Sequence, residues 1–257
     1  MLAVPLLAGK RMLVTGIAND QSIAYGCARA FRACGAQLAI TYLNDRARPH
    51  VEPLARELGA EIVMPLDVTQ AGSMQAVFEA IAERWGRLDS VLHSIAFAPK
   101  DDLRGRLVDC SREGFLTALD VSCYSFVEMA RRAEPLMREG GTLFTMSFHG
   151  ARQVVEHYDV MGPAKAALES TVRYLAAELG GSGVRVYAIS PGPIRTRAAS
   201  GLAEFDALLE RAADKAPAGT VATIDDVGQA TAVLASDAAR MITGSTIYVD
   251  GGYHIVD

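Results

Sequence analysis

The sequence contains no CxxC pair. Its four cysteines, Cys27, Cys34, Cys110 and Cys123, are scattered along 257 residues, which argues against a zinc site or a disulfide framework and suits a reducing compartment. They are expected to be free, mostly packed thiols. There is no long apolar run either. The opening MLAVPLLAGKRMLVTG is apolar but falls short of the ~20 residues that span a bilayer, and it lacks a basic leading segment. A soluble, cytoplasmic protein without a membrane partner is expected. Nor is there an excess of basic charge. With 25 Lys and Arg against 30 Asp and Glu, the net charge is −5, and nucleic acid, whose phosphates demand clustered cations, is not an expected partner. Repeats, low-complexity tracts and a dividing linker are all missing. Half of the residues are hydrophobic, so one domain over residues 1–257 is expected to bury one substantial core.

What is present is an alternation. Short β-branched or apolar runs, RMLVTG, QLAITY, EIVMPLDV, LDSVLHSIA, GTLFTMS, VRVYAISPG and STIYVDGG, recur between longer segments of helical period. The helical segments include Ile23 to Cys34, Ser73 to Trp85, Arg112 to Arg138, Tyr158 to Leu179 and Asp225 to Ser236. Continuous apolar strands alternating with helices specify a parallel sheet covered on both faces. The right-handed crossover rule leaves a doubly wound α/β sheet of Rossmann type, with about seven strands, as the simplest topology.

Ligands of such folds sit beyond the carboxyl ends of the strands, so the residues that follow each run form the candidate site. After the first strand, Gly16 permits a tight turn and Ser22 can cap the next helix, whose N-terminus is a seat for a pyrophosphate. The GxGxxG form is absent, and a plain strand-to-helix turn explains the segment equally well. Asp67, with Val68, either accepts a hydrogen bond from an adenine amino group or closes a turn. In HSIAFAP, the small Ser94, Ala96 and Ala98 allow close approach to the backbone, while His93 reads as a satisfied strand residue. SPGPIRT places Ile194 and Thr196 beside the sheet. In EHYDVMGPAKAALES, Tyr158 and Lys165 are seven positions apart. On one helix they would fall within about 20° of each other and line one wall of a cleft. An ordinary amphipathic helix would carry the same pair.

In order and over nearly the whole chain, TG with Ser-Ile-Ala six residues on, DV, HSIAFAP, YDVMGPAK, SPGPIRT and ITGSTIYVDGG resemble the short-chain dehydrogenase/reductase superfamily. More narrowly, they resemble its NADH-dependent enoyl-acyl-carrier-protein reductase branch. In the wider superfamily the tyrosine sits four residues before the lysine. Here Met161 holds that place and the phenol is Tyr158, as in enoyl reductases. The resemblance implies reduction of a trans-2-enoyl thioester at C3 by NADH. Tyr158 would donate to the developing enolate oxygen, and Lys165 would hold the nicotinamide ribose and favour an ionisable phenol. It implies cofactor contacts at Gly16, Ser22, Ile23 and Leu43, at Asp67, Val68, Ser94 and Ile95, and at Ile194 and Thr196. Substrate would lie against Ala98, Phe148 and Tyr158. It also implies a homotetramer, supported by helices more apolar than one sheet face requires.

The chain departs from the family at three places. Phe148 stands where many members carry a second tyrosine, so the ring remains but cannot donate. Its neighbour His149 is expected to face away, since successive side chains of extended backbone alternate, and the role of Ser147 is left open. Leu43 replaces a commonly polar residue, and ITYL is uncharged where an acidic residue would read the ribose. Arg46 and Arg48 follow, so NADH is favoured over NADPH without exclusion. Third, the segment around 195–217 is expected to form a lid whose Leu202, Phe205, Leu208 and Leu209 share a helical face. It carries Glu204 and Asp206 where a docking face for an acidic carrier protein would be basic, with Arg195, Arg197, Arg211 and Lys215 nearby. The acyl carrier is accordingly either a carrier protein or coenzyme A. Competing readings are a superfamily reductase for another carbonyl or conjugated alkene, and a weakly catalytic nucleotide-binding protein.

Overall fold

The computed structural model describes residues 5–103, 105–196 and 205–256. Seven strands form one parallel sheet: β1 (Arg11–Val14), β2 (Gln37–Tyr42), β3 (Ile62–Pro65), β4 (Ser90–His93), β5 (Gly141–Met146), β6 (Val184–Pro191) and β7 (Ser245–Val249). Their order is β3-β2-β1-β4-β5-β6-β7. The order reverses between β1 and β4, and the crevice at such a switch point is where a doubly wound fold binds its ligand. Thr15 ties the two strand ends together there, donating its N–H at 3.0 Å and its hydroxyl at 2.9 Å to the Leu92 carbonyl.

Alternation along each strand divides the core into two layers. Met12, Val14, Leu38, Ile40, Phe144 and Ile189 face α1 (Ile23–Ala33), α2 (Arg48–Glu57) and α8 (Ile224–Ala235). Leu13, Ala39, Val91, Leu143, Val186 and Ala188 face α3 (Ser73–Trp85), α5 (Ser125–Ala133) and α6 (Met161–Leu179). Between them run α4 (Arg112–Leu119), ahead of α5, and α7 (Phe205–Lys215), ahead of α8. The expected doubly wound sheet is therefore the observed one.

Three helical expectations are corrected. α2 lies outside the segments read as helical. Pro49 and Pro53 hide its period, although a proline at the first helical positions removes no bonded N–H. The run Arg112–Arg138 is not one α-helix: a π-helical turn at Asp120–Tyr124 separates α4 from α5, and a 3₁₀ turn follows at Glu134–Leu136. Finally, Tyr158 is not helical. α6 begins at Met161, and His157 (φ 62°) and Asp159 (φ 31°) on either side of the tyrosine take left-handed backbone, which breaks the helix before it can reach back to Tyr158.

Candidate active site

Gly16 follows β1 with φ 89°, and a Cβ there would overlap the Ser94 carbonyl at the end of β4. Only glycine lets the two strand ends close up and open a crevice above them. Ser22 occupies the N-cap position of α1 but does not cap it, which corrects the sequence reading. Its hydroxyl turns back to accept the N–H groups of Ala18 (3.0 Å) and Asn19 (3.1 Å). The serine thereby folds the turn, and the first N–H groups of α1, Ile23 among them, are left without a side-chain cap at a helix end that attracts anions. Asp67 closes an Asx turn, accepting from the Thr69 N–H at 3.0 Å and hydroxyl at 2.7 Å through one carboxylate oxygen. Val68 and Ile95 pack at the edge of the core beside α3 and α6. Ile194 packs against the other layer, and Leu43 is 54% exposed at the end of β2. Of the two arginines beyond it, Arg48 is bound by Glu52 at 2.6 Å.

The π turn between α4 and α5 rotates Ser122 inward, where it clasps Phe97 after β4. Its hydroxyl accepts the Phe97 N–H at 3.1 Å and lies 3.2 Å from the Phe97 carbonyl. π turns are frequent at functional sites, and this one shapes the crevice beside Ala98. Ala98 itself packs with Ala118, Val160, Met161 and Ala164, and Tyr158 borders the same cluster. His93 is buried and satisfied. Ser125 spends its proton on the Val121 carbonyl at 2.8 Å, so the His93 Nε2–H donates to Ser125 at 2.8 Å while Nδ1 accepts from Thr145 at 3.0 Å. Burial first, then the nearby Lys165 charge, pushes its pKa down to about 3, so it is neutral and structural.

Tyr158 reaches the site from its left-handed turn. Phe148 packs edge-on against it with centroids 5.0 Å apart and planes at 62°, and a Cβ on Gly150 would come within 2.6 Å of its ring. The side chain is thus held by shape from two sides. Burial raises the phenol pKa, which corrects the expectation that Lys165 would ease its ionisation. The cost of placing a phenolate in a poorly solvated pocket dominates, and Tyr158 remains a protonated donor. The alternation expected of Phe148 and His149 does not hold: His149 opens a 3₁₀ turn (His149–Ala151), and its ring stacks on that of Phe148 at 4.8 Å. Its other side meets Tyr253 at 5.0 Å, tilted by 43°, and its buried Nδ1 has no hydrogen-bond partner among the described residues.

Lys165 is buried on α6 and donates to the Met146 carbonyl at 2.7 Å. Burial lowers its pKa to about 8, against upward pulls from Cys123 and Glu169, so at neutral pH it is cationic with N–H donors to spare for a diol. Glu169, one turn on, is a residue that the sequence reading missed. It is 3% exposed and accepts from the Ser147 hydroxyl at 2.8 Å and from Arg152 at 3.0 Å. The four-residue spacing of Lys165 and Glu169 was the available signal. Ser147, whose role the sequence left open, is thus engaged by Glu169. Thr196 closes the described loop after β6. Arg197, Leu202 and Glu204 lie outside the described residues, as do the side chains of Phe205 and Leu208, so the expected lid face is outside what the structure describes.

An uncapped helix end at the switch point, a glycine-made crevice, a buried ammonium and a buried, protonated phenol are parts that suit a nicotinamide dinucleotide and its substrate. The family model for enoyl-(acyl-carrier-protein) reductase matches residues 16–254. The enoyl-(acyl-carrier-protein) reductase (NADH) 1 of Rhizobium meliloti is 47% identical over 98% of this chain and 92% of its own. Among solved structures, the reductase of Anaplasma phagocytophilum in complex with NAD superposes with a TM-score of 0.94 at 48% identity, covering 98% of this chain and 96% of that one. That of Bacillus cereus with NADP+ and an indole naphthyridinone gives 0.96 at 45% identity over 98% and 99%. Likeness of this extent, over nearly the whole chain, means that the chain belongs to the enoyl-(acyl-carrier-protein) reductase family.

Proposed function

We propose that the protein reduces the 2,3 double bond of trans-2-enoyl thioesters in fatty acid synthesis with NADH. The observation that carries this reading is the pair of positions before Lys165. Four residues ahead stands Met161, buried and apolar, while seven ahead the Tyr158 phenol stands at the cluster formed by Ala98, Ala118 and Met161. A carbonyl reductase of the superfamily needs a donor at the nearer position. A donor moved along the chain suits a substrate whose reacting carbon is two bonds from its carbonyl.

Gly16, Ser22 and Ile23 would receive the pyrophosphate at α1. Asp67 and Val68 would flank the adenine, with Leu43 beside it, and Ser94, Ile95, Ile194 and Thr196 would line the nicotinamide half. When bound, the nicotinamide supplies hydride to C3. Tyr158 donates its O–H to the thioester oxygen on which enolate charge gathers, a fixed donor in a poorly hydrated cleft being commonly the largest catalytic term. Lys165 holds the ribose hydroxyls, and Phe148 with Ala98 keeps water from the acyl chain. Because Arg48 is held by Glu52 and β2 ends uncharged, NADH is favoured over NADPH.

We further propose one domain with a lid around 195–217, a cytoplasmic location and a homotetramer. The large exposed side chains Leu116, Tyr124 and Tyr174 on and beside α4 and α6 support an oligomer, and light scattering reads its mass. The substrate is an enoyl thioester on carrier protein or on coenzyme A. Following NADH absorbance with enoyl thioesters and then with matching 3-ketoacyl thioesters tests the reading. Consumption with the first series is expected, and turnover confined to the second would overturn it.

A further inference from the structure

Lys165 and Glu169 sit one turn apart on α6 and hold the last residue of β5 and the first of the loop that follows it. Lys165 donates to the Met146 carbonyl at 2.7 Å, and the Ser147 hydroxyl donates to Glu169 Oε1 at 2.8 Å. Arg152, farther along the same loop, donates to Glu169 Oε2 at 3.0 Å. The next residue after Ser147 is Phe148, whose ring bears on Tyr158. We infer that Glu169 is a positioning residue, whose buried carboxylate pins the loop carrying Phe148 and places negative charge beside the Lys165 ammonium that grips the cofactor ribose.

This rests on the reductase reading for the role of Lys165, but its observations are independent of it. A carboxylate that is 3% exposed costs stability unless it is paired and hydrogen-bonded, and this one spends an oxygen on each of two partners from a single loop. Its location has a reason in charge. Lys165 is faced by neutral His93 from β4 and by Cys123 from the π turn, whose thiol lies 3.5 Å from the Thr171 hydroxyl. Glu169 is faced by Arg152 and Ser147 from the loop and by Tyr248 from β7. Among these groups Glu169 is the carboxylate, and it offsets the burial that pulls Lys165 down to about 8.

The sign follows. NADH binds to the cationic lysine, so affinity falls as pH rises through the Lys165 pKa of the free protein. Removing the Glu169 charge lowers that pKa and moves the fall to lower pH. The test is NADH titration by fluorescence across pH 6 to 10 on the full chain and on Glu169→Gln and Arg152→Gln. An acid shift of about one unit is expected for Glu169→Gln, the lower end for a neighbouring opposite charge. A smaller alkaline shift is expected for Arg152→Gln, which removes a cation and leaves Glu169 intact. Arg152 is more than half exposed, so this second variant remains informative if the first does not fold. Midpoints that stay at the wild-type value, or shift in the same direction, overturn the inference. Wild-type protein that binds no NADH at any pH overturns it together with the reductase reading, whereas wild-type binding with unmoved variants overturns it alone.

Discussion

Two seams in this molecule are built on opposite principles. Where α1 meets α8, contact is made by shape. A Cβ on Gly26 would overlap the Ile224 carbonyl, and one on Gly228 would overlap the Gly26 carbonyl, so the backbones touch. Ala24, Cys27, Val227 and Ala232 fill the rest, and charge appears at the rim as the Arg29–Asp225 ion pair. Where α6 meets the loop after β5, contact is made by charge. Lys165 and Glu169 are buried and are held by a carbonyl, a hydroxyl and a guanidinium. Buried charge is a poor way to gain stability, while perturbed, partnered groups in a crevice are a common way to obtain chemistry. The first seam secures the fold, and the second tolerates an energetic cost because it works.

The comparison breaks most visibly at Tyr158. Tyr158→Phe should lower kcat by about 10²–10³, the loss of one donor to a developing oxyanion. Its thermal midpoint should stay within about 2 °C of wild type, as for a substitution that opens no cavity, and NADH affinity should be unchanged. Steady-state kinetics beside calorimetry checks this, and an undiminished kcat removes Tyr158 from the mechanism. Gly228→Ala should do the reverse. Forcing a methyl against the Gly26 backbone should cost about 1–3 kcal/mol, measured by urea unfolding, with kcat per folded molecule preserved.

Acid separates the seams in a subtler way. The unfolded chain protonates His93 near its ordinary value of 6.5, while the folded chain refuses the proton until about 3. Stability therefore falls as pH drops through that window, by up to about 1.4 kcal/mol per unit for one group. His93→Gln should flatten this limb of the stability profile, and an unchanged slope assigns the acid sensitivity elsewhere. The smallest effect is expected at the lid. Arg195 is paired with Asp206 at 2.6 Å, so one of the few cations near the entrance is already neutralised. A carrier-protein thioester should then exceed a coenzyme A thioester of equal chain length in kcat/KM by no more than about fivefold, the ~1 kcal/mol scale of exposed pairs. A large, salt-sensitive preference for the carrier protein would refute this.

Local pattern determined a great deal. The seven apolar runs are all strands, because a strand buried on both faces needs nothing beyond continuous β-branched and apolar side chains, and the strand-end rule gathered Gly16 and Ser94, which meet at the switch point. His93 read correctly as a satisfied strand residue, since a strand covered on both faces buries it whichever way it points. The tertiary structure decided what depends on partners distant in sequence. Ser22 was expected to cap α1 and instead folds the turn before it. Tyr158 was placed on the helix of Lys165, but left-handed backbone at His157 and Asp159 sets it outside α6, and Gly150 and Phe148, not helical periodicity, aim its ring. Glu169 reads in sequence as one more polar residue on an amphipathic helix. Its burial follows from a loop 22 residues earlier that brings Ser147 to it, and no local rule carries that information. Periodicity records which face of an element is apolar, whereas the satisfaction of a buried charge is a property of the assembled fold.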